Sequence, residues 1–180
     1  MLVYNGNLCN IEELSTLNDD ALYQLMVENE NDYKIYVSDE AIPLSYNDFQ
    51  EKLKYWFNGG RNYQFLISDV KYNQIIGTIF FYLFNPQEFN INCSVFFIPR
   101  VRTSLIVAEA IIATCLSIQT QLKVNFINFS VYTENQKMHV IAKKIGAISI
   151  GTKTSLINPM RNVVLYSLPI QNLKEKFRNF

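Results

Sequence analysis

This chain of 180 residues has one histidine, one tryptophan and three cysteines. Cys9, Cys93 and Cys115 are odd in number and far apart in sequence, so they suit reduced thiols better than a disulfide framework or a cysteine-rich zinc site. With His139 as the single histidine, no metal-ligand cluster is expected. The sequence also lacks a glycine-rich P-loop and a nucleophile elbow, and its basic residues are not interleaved with aromatics as in nucleic-acid modules. The longest apolar run, Leu105 to Ala113, is interrupted by Glu109 and is far shorter than the roughly 20 residues that span a bilayer. The first residues show no basic segment leading into an apolar one, so no secretion signal and a cytoplasmic location are expected.

What remains is a globular composition, 49% hydrophobic and free of low-complexity runs. Its length suits one domain with its own core. Net charge is zero, but its distribution is uneven. Residues 1–50 carry ten acids against Lys34, giving −9, and residues 51–180 carry fifteen bases against six acids, giving +9. Such a first segment either solvates surface helices or attracts a cationic ligand.

Along the chain, Leu2 to Glu13 reads as a strand with its turn, or as a hairpin about Asn5-Gly6-Asn7. Asn18 looks like a helix N-cap with Asp19 and Asp20 in the first turn, and that helix should end in the polar run Glu28 to Asp32. Tyr33 to Leu44 reads as a loop. Ser45 and Asp48 form a capping box for a helix with the apolar stripe Phe49, Leu53, Trp56 and Phe57, stopped by Gly59-Gly60. Tyr63 to Ser68, Ile75 to Phe84 and Phe89 to Ile98 follow as strands.

After Pro99 the pattern becomes helix, strand, helix and strands. The helix from Ser104 to about Gln119 is apolar on nearly every side and should be buried, and Asn125 to Tyr132 is the next strand. Asn135 caps a helix that ends at Gly146, with Lys143 and Lys144 in its last turn and His139 away from the buried face. Ile148 to Ser155 and Val163 to Leu168 close the sheet. The tail, residues 171–180, places Leu173, Phe177 and Phe180 at helical spacing and either docks or frays.

The stretch from Ser94 to Ala147 joins a strand to a helix through a basic turn, which presents backbone N–H groups to an anion. It resembles the acyl-CoA-binding half of the GNAT superfamily of N-acyltransferases, most closely the ribosomal-protein N-terminal acetyltransferase branch. The resemblance rests on Ile75-Ile76-Gly77, on Pro99 followed ten positions later by Glu109-Ala110, and on Asn135 with Lys144-Ile145-Gly146. It covers about residues 9 to 169. In the same register the family's R/Q-x-x-G-x-G/A turn falls on Arg102, Leu105 and Val107, so both small residues are replaced, and Ala142 stands where many members carry a tyrosine acid.

The resemblance implies a single α/β domain over residues 1–170, a mixed sheet of about seven strands flanked by about four helices. It implies acetyl-CoA as acyl donor and no metal, with Phe97, Ile98, Arg100, Arg102, Thr103, Ser104, Leu105 and Asn135 at the coenzyme. Glu88 and Tyr132 are the candidate proton acceptors, and Glu109 is most simply a helix residue that supports local structure. The acceptor would be a primary amine on a small molecule, an aminosugar or a peptide N-terminus, cationic if the acidic segment steers it. Nucleic acid and membrane are not expected partners, and a homodimer is compatible with this reading. The alternative is a GNAT-shaped regulatory or interaction module that has lost coenzyme binding.

Overall fold

A computed structural model describes residues 2–36, 45–57, 62–102, 104–156 and 159–176. In chain order the elements are β1 (Leu2–Asn5), β2 (Cys9–Glu13), α1 (Asp19–Glu28), α2 (Glu30–Tyr36), α3 (Tyr46–Phe57), β3 (Tyr63–Asp69), β4 (Gln74–Asn85), β5 (Asn90–Phe97), a 3-10 turn (Pro99–Val101), α4 (Leu105–Leu122), β6 (Phe126–Tyr132), α5 (Gln136–Ile145), β7 (Ile148–Thr154), β8 (Asn162–Pro169) and α6 (Ile170–Lys176). The strands form one sheet in the order β1-β2-β3-β4-β5-β6-β8-β7. This is the expected mixed α/β architecture, with eight strands and six α-helices among the described residues. The chain divides into two compact units, Met1–Tyr82 with Ser94–Thr114, and Leu83–Cys93 with Cys115–Phe180.

In the first unit the added strand comes from a hairpin. Gly6 N–H donates to the Cys9 carbonyl at 3.0 Å, and a side chain at Gly6 would run into Glu109 and Tyr4. Leu22, Leu25 and Met26 of α1, Tyr33 of α2 and Phe49 of α3 pack on Leu66 and Phe96. Asp19, buried at the start of α1, accepts hydrogen bonds from the Tyr46 hydroxyl (2.7 Å) and the Gln50 amide (3.3 Å), which ties α1 to α3.

Several local expectations change here. The polar run after α1 continues as α2, because Tyr33 is buried with its ring 4.9 Å from the Phe96 ring, which holds in place a helix that begins Glu-Asn-Asp. Asn18 precedes α1 but its side chain turns away from the helix: it accepts from Ser15 N–H at 2.8 Å and donates to the Glu13 carbonyl at 3.2 Å. The capping box does form, with Ser45 Oγ accepting from Asp48 N–H at 3.2 Å. Residues 37–44, Gly59-Gly60, Asn158, Phe177, Phe180 and the side chains of Trp56 and Phe57 lie outside the described residues.

α4 is long and apolar enough to cross a membrane by length and composition. Here Val107, Ala110, Ile111, Ile112, Cys115 and Ile118 are instead buried in protein. Its first residue differs from the expectation of all-round burial, since Leu105 is 77% exposed.

In the second unit β6 pairs antiparallel with β8 from Phe126↔Pro169 to Tyr132↔Val163, and β7 adds to β8. β5 joins β6 in parallel at Asn90↔Phe126, Ile91↔Ile127 and Asn92↔Asn128. Ala142 of α5 is fully buried against Val131 and Tyr166. The first residues of the tail form α6, whose Ile170 and Leu173 are buried, and Asn172 donates to the Gly146 carbonyl at 3.1 Å.

Candidate functional site

Gly77 has no side chain because β5 passes too close for one. A Cβ at this position would lie 2.5 Å from Phe97 Cδ1 and 2.6 Å from the Phe96 carbonyl oxygen. Next to it, Ile98 N–H donates to the Ile76 carbonyl at 3.0 Å. Successive residues of an extended strand direct their N–H and C=O groups to opposite edges, so those of Phe97 point away from β4. Of the two residues singled out in the sequence at the end of β5, Phe97 therefore offers an outward amide, whereas the amide of Ile98, just past the strand, is used by β4.

The chain then turns through Pro99–Val101 into α4. Arg100 is exposed and donates to Gln74 Oε1 at 2.6 Å. Arg102 Nε donates to the Phe97 carbonyl at 2.8 Å, and its Nη1 lies 3.4 Å from Asp32 Oδ1 on α2. Its guanidinium stands 5.8 Å from the centre of the Phe96 ring. Thr103 lies outside the described residues. Ser104 Oγ donates back to the Val101 carbonyl at 2.7 Å, so its oxygen is turned from the helix that follows. No acidic residue stands in the first turn of α4. The N–H groups of such a turn, with the positive end of the helix dipole, are suited to a phosphate.

The two departures from the family's glycine-rich turn behave differently from plugs. Leu105 extends into solvent and Val107 is 2% exposed, packed into the protein. Neither substitution adds an acidic group at the helix start.

The second unit holds the other candidates. Asn135 caps α5, its Oδ1 accepting from Met138 N–H at 3.2 Å, and Gly146 closes the helix at φ 90°, a left-handed angle that a side chain disfavours. Asn135→Ala should cost about 1 kcal/mol. Urea denaturation of the two forms measures this, and an unchanged midpoint would show that the cap contributes nothing. Tyr132 is buried with its ring 3.6 Å below the guanidinium of Arg161, which is also ion-paired to Glu134. A hydrogen bond that the carboxylate accepts from its own backbone N–H, with help from Arg161, holds the Glu134 carboxyl below its usual range. Glu88 sits exposed in the turn before β5, at the other end of that strand from Phe97, and accepts from Asn90 Nδ2 at 2.6 Å.

Glu109 is buried in the first unit and accepts from Leu8 N–H (3.3 Å) and the Cys9 thiol (3.8 Å), a hairpin anchor rather than a reacting group. Burial first, and Glu109 second, push the Cys9 thiol up to about 12; burial likewise raises Cys115 to about 12 and Cys93 well above the usual thiol range. None of the three is a thiolate nucleophile near neutral pH. His139, expected to face solvent, is half-buried with Nδ1 2.9 Å from the Tyr166 hydroxyl. Helical periodicity places it off the core face, but gives no sign of a hydroxyl arriving from β8.

No protein-family model matches the chain, and no curated protein matches it in sequence. Solved structures do match in shape. RimL, a ribosomal L7/L12 alpha-N-protein acetyltransferase in complex with coenzyme A, superposes with a TM-score of 0.82 at 13% identity, covering 96% of this chain and 99% of that one. Spermidine N-acetyltransferase from Vibrio cholerae, in complex with CoA and spermine, gives 0.77 at 15% identity, covering 93% and 99%. FdhC, a nucleotide-linked sugar GNAT, gives 0.72 at 19% identity, covering 94% and 90%. Similarity of this extent at such low identity establishes architecture, and the architecture of this chain is the GNAT fold.

Proposed function

We propose that the protein is an acetyl-CoA-dependent N-acetyltransferase acting on a primary amine. The observation that carries this reading is the junction of β5 and α4: an outward Phe97 amide, a helix start without acidic residues, and two arginines in the turn between them. The α4 N–H groups, with Arg100 and Arg102, would hold the pyrophosphate. The thioester brings an acyl group that is already activated. The chain therefore has to orient the amine, donate a hydrogen bond from Phe97 N–H to the carbonyl oxygen, and let a proton leave. Ala142 is sealed in the core and supplies no acid for the departing thiolate, so in this reading water takes the proton of the amine and returns one to the sulfur.

The acceptor side draws on the acidic first segment. Asp19, Asp20, Glu28, Glu30, Asp32 and Asp48 all lie on α1, α2 and α3. Such a concentration favours a cationic amine, the class to which the spermine bound in one of the similar structures belongs. A peptide N-terminus and an aminosugar are the other acceptors to test.

Coenzyme at about one hundred times its dissociation constant should stabilise the protein by about 2.7 kcal/mol. That corresponds to a rise of about 5–10 °C in melting temperature for a chain of this size. Thermal unfolding with and without CoA tests it, and a flat response at millimolar CoA would favour the interaction-module reading.

A further inference from the structure

Arg102 makes two contacts that bear on how a coenzyme would enter. Its Nε fills the Phe97 carbonyl, and its Nη1 reaches Asp32 on α2. That carbonyl points away from β4, on the edge where an extended amide-bearing arm would add to β5 as an extra strand. A strand added there needs both the N–H and the C=O of Phe97, and the guanidinium already holds the second of these. The same guanidinium is a cation expected at the pyrophosphate, yet here it is directed to a carbonyl and a carboxylate. α2 is only seven residues long, and this ion pair and the contact of the Tyr33 ring with Phe96 both tie it to the end of β5.

We propose that Arg102 and Asp32 form a latch: in the coenzyme-free protein Arg102 pins α2 to the carbonyl end of β5, and coenzyme binding releases it. Arg102 and Asp32 are positioning residues in this scheme. The arm takes the Phe97 carbonyl, Arg102 turns to the phosphates, and α2 loses this one of its tethers. By linkage, whatever opens the latch tightens coenzyme binding by the factor by which the coenzyme opens the latch. The acidic segment that carries α2 then becomes free to adjust to an amine only after the acyl donor is in place. This inference rests on the acetyltransferase reading for the identity of the ligand, but the latch itself is a feature of the free protein.

Hydrogen–deuterium exchange over Glu30–Tyr36, with calorimetric titration of CoA, tests the proposal on the full chain. CoA should speed exchange of the α2 amides by about fivefold or more, since a helix with one tether fewer opens locally more often. Asp32→Asn should exchange at that faster rate without CoA, show little further change when CoA is added, and bind CoA about three- to tenfold more tightly. Asp32→Glu, which keeps the carboxylate, should return both readings toward those of the natural chain. Asp32 is one-third exposed, so neither substitution threatens the fold. If CoA binds but α2 exchange stays level or slows, or if Asp32→Asn binds no more tightly, the latch is overturned while the acetyltransferase reading stands. If no form binds CoA, the acetyltransferase reading falls and the coupling falls with it.

Discussion

Gly77→Ala is expected to lower the melting temperature by about 5–12 °C and to reduce the stabilisation that CoA provides. The position lies inside β4, paired with Ile67 on β3 and hard against β5. One methyl group there would meet the Phe97 ring at 2.5 Å and the Phe96 carbonyl oxygen at 2.6 Å. The ring is 5% exposed and has little room to turn, and the carbonyl is backbone, so the strands themselves must separate. Overpacking of a well-packed site costs about 1–3 kcal/mol and occasionally more, and contact with backbone belongs to the upper part of that range. For a chain of this length each kcal/mol moves the melting temperature by about 2–4 °C.

The functional part of this prediction follows from Phe97 itself, since a shift of that residue displaces the outward amide assigned to the acyl carbonyl. Thermal unfolding with and without CoA reads both effects. Adding Phe97→Leu to Gly77→Ala should recover the ring's share of the loss and leave the carbonyl's. A single variant within about 1 kcal/mol of the natural chain would mean that β4 and β5 have room to spare. The Ile-Ile-Gly signature would then need another explanation.

What the sequence discloses depends on how local the cause is. Asn135, Gly146 and the Ser45–Asp48 box are legible because the groups that satisfy them lie within four residues. The strands are legible from runs such as Phe65 to Ile67 and Ile76 to Phe81. α2 is not, because it opens with three polar residues and its buried anchor, Tyr33, depends on a ring brought in by β5. Asn18 departs from the expected cap for a related reason: its partners precede the helix, at Glu13 and Ser15, and compete with the cap.

The candidate site divides along similar lines. Spacing alone finds the basic turn, but not the direction of Arg102, because Asp32 lies seventy positions away in sequence. Glu109 is legible as a structural residue, yet its partners at Leu8 and Cys9 are equally remote. Choosing between Phe97 and Ile98 requires knowing which edge of β5 faces β4, and periodicity does not carry that information.

Restoring the family's small residues with Leu105→Gly and Val107→Ala should destabilise the protein by about 2–4 kcal/mol without tightening CoA. A turn that reads as damaged in sequence invites the opposite expectation, that removing two bulky side chains would open the phosphate site. The structure separates the two positions. Leu105 extends into solvent, so deleting it relieves no crowding within the protein and costs about 1 kcal/mol of helix propensity. Val107 is buried, so trimming it leaves a void in the packing of α4; by comparison with other large-to-small core changes this costs about 1–3 kcal/mol. Residues two apart on a helix do not face one another, so the two losses should add. Calorimetric titration with CoA and urea denaturation of the double variant give the two readings together. CoA binding that appears only in the double variant would show that the natural turn is closed to coenzyme, and the interaction-module reading would then replace the enzyme. Unchanged affinity with lowered stability would mean that Leu105 and Val107 serve the fold, while the phosphate is held by backbone amides that neither side chain obstructs.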